Sequence, residues 1–441
     1  MAGGAPPAAA GATIVRANVV HTPRDPFGDE GALECYENGA VAFADGQIVA
    51  TGDFAEVSAE HPDAELVDER DAFLLPGLVD MHVHWPQLGA IGAMGLELLE
   101  WLRTRTLPEE AKLADLDYAR PLARDFVRGL AANGTTTALV FGSHFPDAQD
   151  AFFEAAAESG LRLASGLVVS DRDLLPELRV TPEEAHDAGL ALARRWHGRG
   201  RLRYAVTPRF SISCSDELLE SCGALAAELD GAVVTSHLNE NRDEVEAVLD
   251  QFEDARDYLE TYERHGLAGP STVLAHSVHT TDAELTRMAA AGTRVAHCPS
   301  SNGFLGSGVF PMRRHLSHGV RFGLGTDVGA GAGLSVLKEG LTAYQGQMIA
   351  PDGVRLAPAH LLWLATRAGA EALGLGESAG DLTPGRGADL VLLRPPEGST
   401  LAATLARCES LEQALGALIT LAREESVAAT WVAGEPVHRR M

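Results

Sequence analysis

The chain contains the stretch Leu74-Leu-Pro-Gly-Leu-Val-Asp-Met-His-Val-His84, in which a Pro-Gly pair precedes an apolar run that closes with two histidines. Pro and Gly interrupt regular structure, so a new buried strand is predicted to begin just after them. Side chains two residues apart on a strand point to the same face, which places His82 and His84 side by side. Such a pair is suited to holding a metal ion. The alternative is a chance pair in a core strand, because the chain has 16 histidines among its 441 residues.

The two ends of the chain are rich in predicted strands. Short apolar runs flank Asp45-Gly46, which is a strong hairpin signal, and a second hairpin is predicted to turn at Gly434-Glu435. We therefore expect residues 12–75 and 376–441 to pack together as one small β-sandwich domain. Residues 1–11 are predicted to be a disordered tail.

The middle of the chain, residues 76–375, alternates between strand-like apolar runs and helical segments. The clearest helical segments are Asp117 to Ala132, Ala148 to Ser159, Pro182 to Trp196 and Asp216 to Leu229. Repeated β-α units of this kind are typical of a parallel barrel with helices outside. The predicted fold class is therefore α/β, with a (β/α)8 TIM-like barrel. A doubly wound open sheet is the alternative, but no Gly-x-Gly-x-x-Gly motif opens the first unit.

Potential metal ligands follow several of the predicted barrel strands at the points where they end. In a barrel of this kind the chemistry lies at the carboxyl ends of the strands. The residues at these ends are His82, His84, His237, His276 and Asp327. Any one of them alone would more often be structural, but five residues arranged in this way indicate a metal site.

Imidazoles with a single carboxylate suit Zn²⁺, with Fe²⁺ as the alternative. Cys298 also follows a predicted strand, but a packing role is expected for it. Two-metal relatives of this architecture often bridge their ions with a carboxylated lysine on a barrel strand. The chain has lysine only at Lys112 and Lys338, and neither lies at a predicted strand end. We therefore expect one metal ion per subunit, which would lower the pKa of a bound water to about 7.

Glu240 is the predicted proton-transfer group. It lies three residues past His237, and on the first turn of a helix three residues return nearly to the same face, so Glu240 can face the metal without binding it. A carboxylate favoured by the helix dipole is a second, compatible interpretation. Asp327 can act as the initial base toward the water. The sequence leaves open whether His276 is a ligand or lies just outside the ligand shell.

The motifs resemble the amidohydrolase superfamily and, within it, the metal-dependent guanine deaminase branch, over nearly the whole chain from Ile14 to Val437. Pro-Gly-Leu-Val-Asp-x-His-x-His and Gly-x-Gly-Thr-Asp327 are typical of the superfamily. The motifs more specific to the branch are His84-Trp-Pro-Gln87, Leu99-Glu-Trp-Leu102, Asn133-Gly-Thr-Thr-Thr137, Thr207-Pro-Arg-Phe-Ser211, Ser236-His-Leu-Asn-Glu-Asn241 and His297-Cys-Pro-Ser-Ser-Asn302.

The resemblance implies a homodimer and a set of site residues. The implied zinc ligands are His82, His84, His237 and Asp327, with His276 close by and catalytic together with Glu240 and Asp327. The implied substrate-binding residues are Gln87, Arg209, Phe210, His237, Glu240 and Asp327. The chemistry of guanine agrees, because Arg209 is a donor suited to O6, Gln87 can meet the amidine edge, and Phe210 can cover the ring. A surface ion pair, a loop amide and core packing are the respective alternatives.

The expected reaction is the hydrolysis of guanine to xanthine and ammonia, as in purine catabolism. A water activated by the metal adds to C2, Glu240 protonates N3, and Asp327 and Glu240 relay a proton to the leaving amino group. A related amidohydrolase acting on another amino- or chloro-substituted heterocycle is the alternative. A barrel that has lost catalysis and serves as an interaction protein is a remote one, because every expected ligand is present.

Composition restricts the cellular setting and the partners. A formal net charge of -27 argues against a nucleic-acid partner, which would require basic patches. Five scattered cysteines without a Cys-x-x-Cys pair fit a reduced cytoplasmic compartment. The apolar runs are shorter than a membrane helix needs, and no secretory signal is apparent. A small-molecule partner is therefore expected.

Overall fold

The computed structural model describes residues 11–440, so the predicted tail at 1–11 lies almost entirely outside the described residues. The strands are β1 (Thr13–His21), β2 (Glu34–Ala44), β3 (Gln47–Asp53), β4 (Glu65–Pro76), β5 (Leu78–His84), β6 (Thr135–Phe141), β7 (Arg162–Gly166), β8 (Val168–Val169), β9 (Leu202–Pro208), β10 (Val233–Leu238), β11 (Thr272–His276), β12 (Arg294–His297), β13 (Phe322–Leu324), β14 (Leu390–Leu393), β15 (Val427–Val432) and β16 (Glu435–Arg439). No helix in residues 11–440 is both long and apolar enough to span a membrane.

The helices alternate with the strands through the middle of the chain. They are α1 (Phe54–Glu60), α2 (Leu98–Trp101), α3 (Leu107–Ala111), α4 (Leu116–Ala132), α5 (Pro146–Ser159), α6 (Pro182–Trp196), α7 (Asp216–Glu228), α8 (Arg242–Gln251), α9 (Tyr258–Glu263), α10 (Asp282–Ala291), α11 (Pro299–Phe304), α12 (Met312–His318), α13 (Val336–Ile349), α14 (Pro358–Ala365), α15 (Arg367–Ala372), α16 (Thr400–Leu405) and α17 (Leu411–Leu421). A π-helical turn at Leu102–Thr106 connects α2 to α3.

The central strands form the predicted parallel barrel. Their order is β13-β12-β11-β10-β9-β7-β6-β5, and the short strand β8 pairs with β9. The barrel closes beyond the end of β13, where Asp327 N donates to His82 O at 2.8 Å and His84 N donates to Val328 O at 3.0 Å. Inward-facing apolar residues such as Val79, Met81 and Leu139 fill its interior. The α/β class and the (β/α)8 barrel are therefore confirmed.

Strands from both ends of the chain form one separate mixed sheet, in the order β16-β15-β14-β4-β1-β2-β3. This confirms that the two ends build a small β domain together, whereas the division at residues 75 and 376 stays a prediction. The hairpin between β2 and β3 turns at Asp45 and Gly46, whose φ angles are 50° and 79°. The hairpin between β15 and β16 turns at Ala433 and Gly434, with φ angles of 48° and 76°. It lies one residue before the predicted position, because both central residues of such a turn need positive φ and Glu435 already belongs to the strand.

Candidate active site

The five predicted metal-site residues lie together at the carboxyl end of the barrel. His82 and His84 are at the end of β5, His237 is in β10, His276 ends β11, and Asp327 follows β13. All five are buried. His276 and Asp327 have φ angles of 71° and 48°, a left-handed conformation that residues other than glycine seldom adopt. Such strained backbone is concentrated at functional sites.

Short distances connect these side chains. Nε2 of His82 lies 3.1 Å from Nε2 of His84 and 3.2 Å from Oδ1 of Asp327. Nε2 of His84 is also 3.2 Å from Oδ1 of Asp327, and Nε2 of His276 is 3.8 Å from Oδ2. One ligand atom from each of four residues, namely His82, His237, His276 and Asp327, lies within 4.8 Å of the others, so this group could hold a metal ion.

The hydrogen bonds of the imidazole rings fit this group to a metal. Nδ1 of His237 donates to the carbonyl of Arg209 at 2.6 Å, and Nδ1 of His276 donates to Oδ1 of Asn302 at 2.9 Å. A proton on Nδ1 leaves the lone pair of Nε2 available to a metal. Nε2 of His276 is buried and has no hydrogen-bond partner within residues 11–440. A buried nitrogen without a partner, close to three other potential ligand atoms, fits a metal site.

His84 is held differently. Its Nδ1 lies 3.0 Å from Nε2 of Gln87, an amide nitrogen that can only donate, so Nδ1 accepts. Nε2 of His84 faces Oδ1 of Asp327 at 3.2 Å. The structure thus brings His84 to the site but groups His276, and not His84, with the other three atoms. Its role as a metal ligand stays a prediction.

The pKa values of the two carboxyl groups of the site are shifted in opposite directions. Burial raises the pKa of Glu240 well above its usual value, and the charge of Asp327 raises it further. Burial would also raise the pKa of Asp327, but hydrogen bonds from His82 and His84 outweigh burial, and the net shift is strongly downward. Two carboxyl groups whose pKa values are moved apart in this way are suited to separate acid and base roles in proton transfer.

Glu240 reaches the site by a route that differs from the prediction. It was expected on the first turn of a helix, but α8 begins at Arg242 and Asn241 caps it. Glu240 lies instead in the loop after β10, where Asn239 has a positive φ of 51° that turns the chain. Its Oε2 is 3.4 Å from Nε2 of His276, so it faces the metal group as expected.

A pocket opens onto these side chains. All six predicted substrate-binding residues line it: Gln87, Arg209, Phe210, His237, Glu240 and Asp327. His84 and His276 also line it. The rest of the wall is apolar and was not predicted; it consists of Leu98, Trp101, Leu102, Leu305 and Ala330. A small polar set facing an apolar wall is typical of a site for a small organic molecule. The Leu99-Glu-Trp-Leu102 motif was the signal for part of this wall.

The sequence analysis missed one charged contact. Arg209 and Glu110 form a buried ion pair in which Nη1 of Arg209 is 2.9 Å from Oε1 and 2.7 Å from Oε2. Burial raises the pKa of Glu110, but the charge of Arg209 and a hydrogen bond from His144 outweigh burial and lower it overall. Glu110 gave no signal in the sequence, because carboxylates are ordinary on the first turn of a helix such as α3.

The two lysines bond to groups that lie outside the pocket. Lys112 pairs with Glu109, and Nζ of Lys338 donates to the carbonyls of Ile419 and Thr420 at 2.9 and 2.8 Å. Neither residue lines the pocket in the described part of the chain. The expectation of one metal ion per subunit stays a prediction.

Comparison with known proteins agrees with the geometry. The amidohydrolase family model matches residues 73–437, and the imidazolonepropionase-like composite domain of bacteria matches residues 39–64. A probable guanine deaminase of Deinococcus radiodurans is 54% identical over 433 residues, which span 97% of this chain and 99% of that protein. The solved structure of E. coli guanine deaminase has a TM-score of 0.93 and 34% identity, and covers 98% of this chain and 100% of its own.

A third relative carries a ligand. The crystal structure of guanine deaminase from C. acetobutylicum, with guanine bound in its active site, has a TM-score of 0.89 and 26% identity, and covers 97% of this chain and 100% of its own. The family model covers most of the chain. The D. radiodurans and E. coli proteins both exceed 30% identity to this chain over nearly their full lengths. The chain therefore belongs to the amidohydrolase family and, within it, to the guanine deaminases, which are hydrolases that act on C–N bonds of cyclic amidines.

Proposed function

We propose that this protein hydrolyses guanine to xanthine and ammonia in purine catabolism. The observation that carries the proposal is the pocket, where Arg209, Gln87 and Phe210 line the same space as a buried group of histidines and one aspartate. This pocket combines donors for a purine edge with side chains suited to a metal. The relationship to guanine deaminases over the whole chain supports the same substrate.

We propose one Zn²⁺ per subunit as the cofactor, with Fe²⁺ as the alternative. His82, His237 and Asp327 would hold it, and either His84 or His276 would complete the set. Imidazoles with one carboxylate are the donor set that these ions prefer. When bound, the ion supplies a water whose pKa is lowered to about 7, and hence a nucleophile at neutral pH.

In the proposed mechanism, the carboxyl groups move the protons. Asp327 is held as an anion by its two histidine partners and accepts a proton from the attacking water. Glu240 is held protonated by burial and donates to N3 as C2 becomes tetrahedral. Asp327 and Glu240 then pass a proton to the amino group, the C2–N bond breaks, and ammonia leaves. His276 lies 3.4 Å from Glu240 and 3.8 Å from Asp327, and so connects the two proton-transfer groups.

Substrate orientation is proposed to come from three other residues that line the pocket. Arg209 donates to O6 of guanine, Gln87 meets its amidine edge, and Phe210 covers one face of the ring. The ring of Phe210 meets the ring of His237 edge to face, with centroids 5.8 Å apart. Phe210 is therefore fixed beside the metal group, and from this position its ring can set the plane in which guanine lies.

The cellular setting is also a proposal. All five cysteine thiols are free, as expected of a reducing cytoplasmic compartment. The relationship to guanine deaminases favours a homodimer, which light scattering of the purified protein would check.

An ultraviolet assay of metal-loaded protein with guanine tests the function, with ammonia release followed in parallel. We expect one ammonia for each xanthine formed. The absence of conversion with metal confirmed in place would overturn guanine as the substrate, and a screen of other amino-heterocycles would follow. The absence of any bound metal would instead favour a barrel that has lost catalysis.

A further inference from the structure

The buried carboxylate of Glu110 contacts both residues proposed to recognise the purine edge. Its Oε1 accepts from Nε2 of Gln87 at 2.8 Å, and both of its oxygens accept from Nη1 of Arg209. Nε2 of His144 lies 3.2 Å from Oε2. Glu110 is 2% exposed, as is its partner Arg209, so water does not compete for these contacts.

Gln87 extends this contact network to the metal group. Its Oε1 accepts from the backbone N–H of Gly329 at 3.1 Å, and its Nε2 lies within bonding distance of both Glu110 and His84. The amide thus connects Glu110 in α3, His84 at the end of β5 and the loop after β13. A shift of Glu110 would therefore move the amide as well as the guanidinium.

We infer that Glu110 is a positioning residue that fixes Arg209 and Gln87 for a neutral 6-oxopurine. This inference rests on the proposed function. A single Glu110 carboxylate occupies Nη1 of Arg209, while Nε of Arg209 is buried without a hydrogen-bond partner in residues 11–440. The guanidinium is thereby oriented and keeps a donor that is not used within the protein. Its charge is balanced, so the pocket favours a neutral carbonyl over an anion.

The first test is Glu110→Gln, which keeps the shape and removes the charge. We expect KM for guanine to rise and kcat/KM to fall about 10- to 100-fold. This is the usual range for residues that orient the side chains in direct contact with a ligand. Glu109→Gln is the matched control, because Glu109 is the neighbouring residue but contacts Lys112 and Tyr118 instead. Its KM should equal that of the wild type. An unchanged KM in folded Glu110→Gln overturns the inference.

A double-mutant cycle separates positioning from a general structural effect. If Glu110 acts through Arg209, Glu110→Gln should cost little further activity in an Arg209→Gln background. If the fold-losses in kcat/KM of the two single variants multiply fully in the double variant, the two residues act independently and the coupling is refuted. If Glu110→Gln fails to fold, Glu110→Asp takes its place, since it keeps the charge but is too short for both contacts. A kcat/KM equal to that of the wild type would then refute the role.

Charge selection has its own probe, a purine with a 6-carboxylate used as a competitive inhibitor. It should bind weakly to the wild type and at least about 10-fold more tightly to Glu110→Gln, because Arg209 is then unbalanced. Equal inhibition of both proteins would refute the charge argument. The wild type is assayed with guanine first: no turnover there refutes the proposed function, whereas normal turnover with no effect in the variants refutes only the role of Glu110.

Discussion

Three of the four histidines at the site have a hydrogen-bond partner on Nδ1, whereas Nδ1 of His82 has none within residues 11–440. The carbonyl of Arg209 and the amide of Asn302 fix two rings, and Gln87 contacts a third. The metal-site residues could be predicted from the sequence, because each lies at or near the end of an apolar run that predicts a strand. Their orienting partners could not, because a contact between residues such as His276 and Asn302 depends on how two distant loops approach each other.

Glu240 is the residue whose replacement tests proton transfer most directly. We expect Glu240→Gln to retain its metal and to lose at least about 100-fold in turnover, the usual contribution of a general acid-base group. Steady-state kinetics with guanine and metal analysis of the same sample check this. Glu246→Gln, on the exposed face of α8, is the control and should behave as the wild type. Near-normal turnover in Glu240→Gln would remove the residue from the mechanism.

His237 tests the metal group itself. His237→Ala should lose bound metal and activity together, since Nε2 is the atom that this ring leaves free toward the cluster. The measurement is metal content per subunit after dialysis against metal-free buffer. His186→Ala, a surface histidine paired with Glu228, is expected to keep full occupancy. A fully loaded His237→Ala protein would contradict the proposed ligand set.

At the level of elements, helices with a clear apolar period were predicted almost to the residue. The segment Pro182 to Trp196 coincides with α6, and Asp216 to Leu229 exceeds α7 by one residue. The prediction that a helix already includes Glu240 was wrong. The helix begins later because Asn241 is its N-cap, and the positive φ of Asn239 keeps the residues before it in a loop. The π-helical turn at Leu102–Thr106 also had no signal, since an added residue in a helix changes its period too little to read.

The N-terminus of α6 offers a test of an element that is independent of the site. Thr181 accepts from the N–H of Glu184 at 3.3 Å, and the Glu184 side chain accepts from the N–H of Thr181 at 3.1 Å. Thr181→Ala should lower the free energy of unfolding by about 1 kcal/mol, because it removes one of these bonds. Urea unfolding measures the change, and activity should stay unaltered. Thr420→Ala, at an exposed position inside α17, should instead raise the free energy of unfolding by about 0.5 kcal/mol, because alanine has the higher helix propensity.

At the scale of the whole molecule, one ion pair connects the barrel to the terminal sheet. Arg162 on β7 donates to Asp389, just before β14, at 2.6 and 3.2 Å, and the carboxylate is only 2% exposed. Arg162→Met should lower the free energy of unfolding by about 3 kcal/mol, since it leaves a buried charge unpaired. Denaturant unfolding provides the measurement. Arg162→Met combined with Asp389→Leu should recover much of the loss, and an equal loss in both proteins would contradict the pairing.

The sheet built from both ends of the chain has a consequence for the order of events during synthesis. Strand β4 leaves the ribosome before the barrel, but its neighbour β14, which pairs Leu390 with Pro76, follows only after the barrel is complete. Until then one edge of β4 presents unpaired backbone groups, a form of exposure that invites association with other chains. Contacts between such distant residues also slow folding. The nascent chain must therefore protect this edge during elongation, and chaperone demand should be highest just before the last strands emerge.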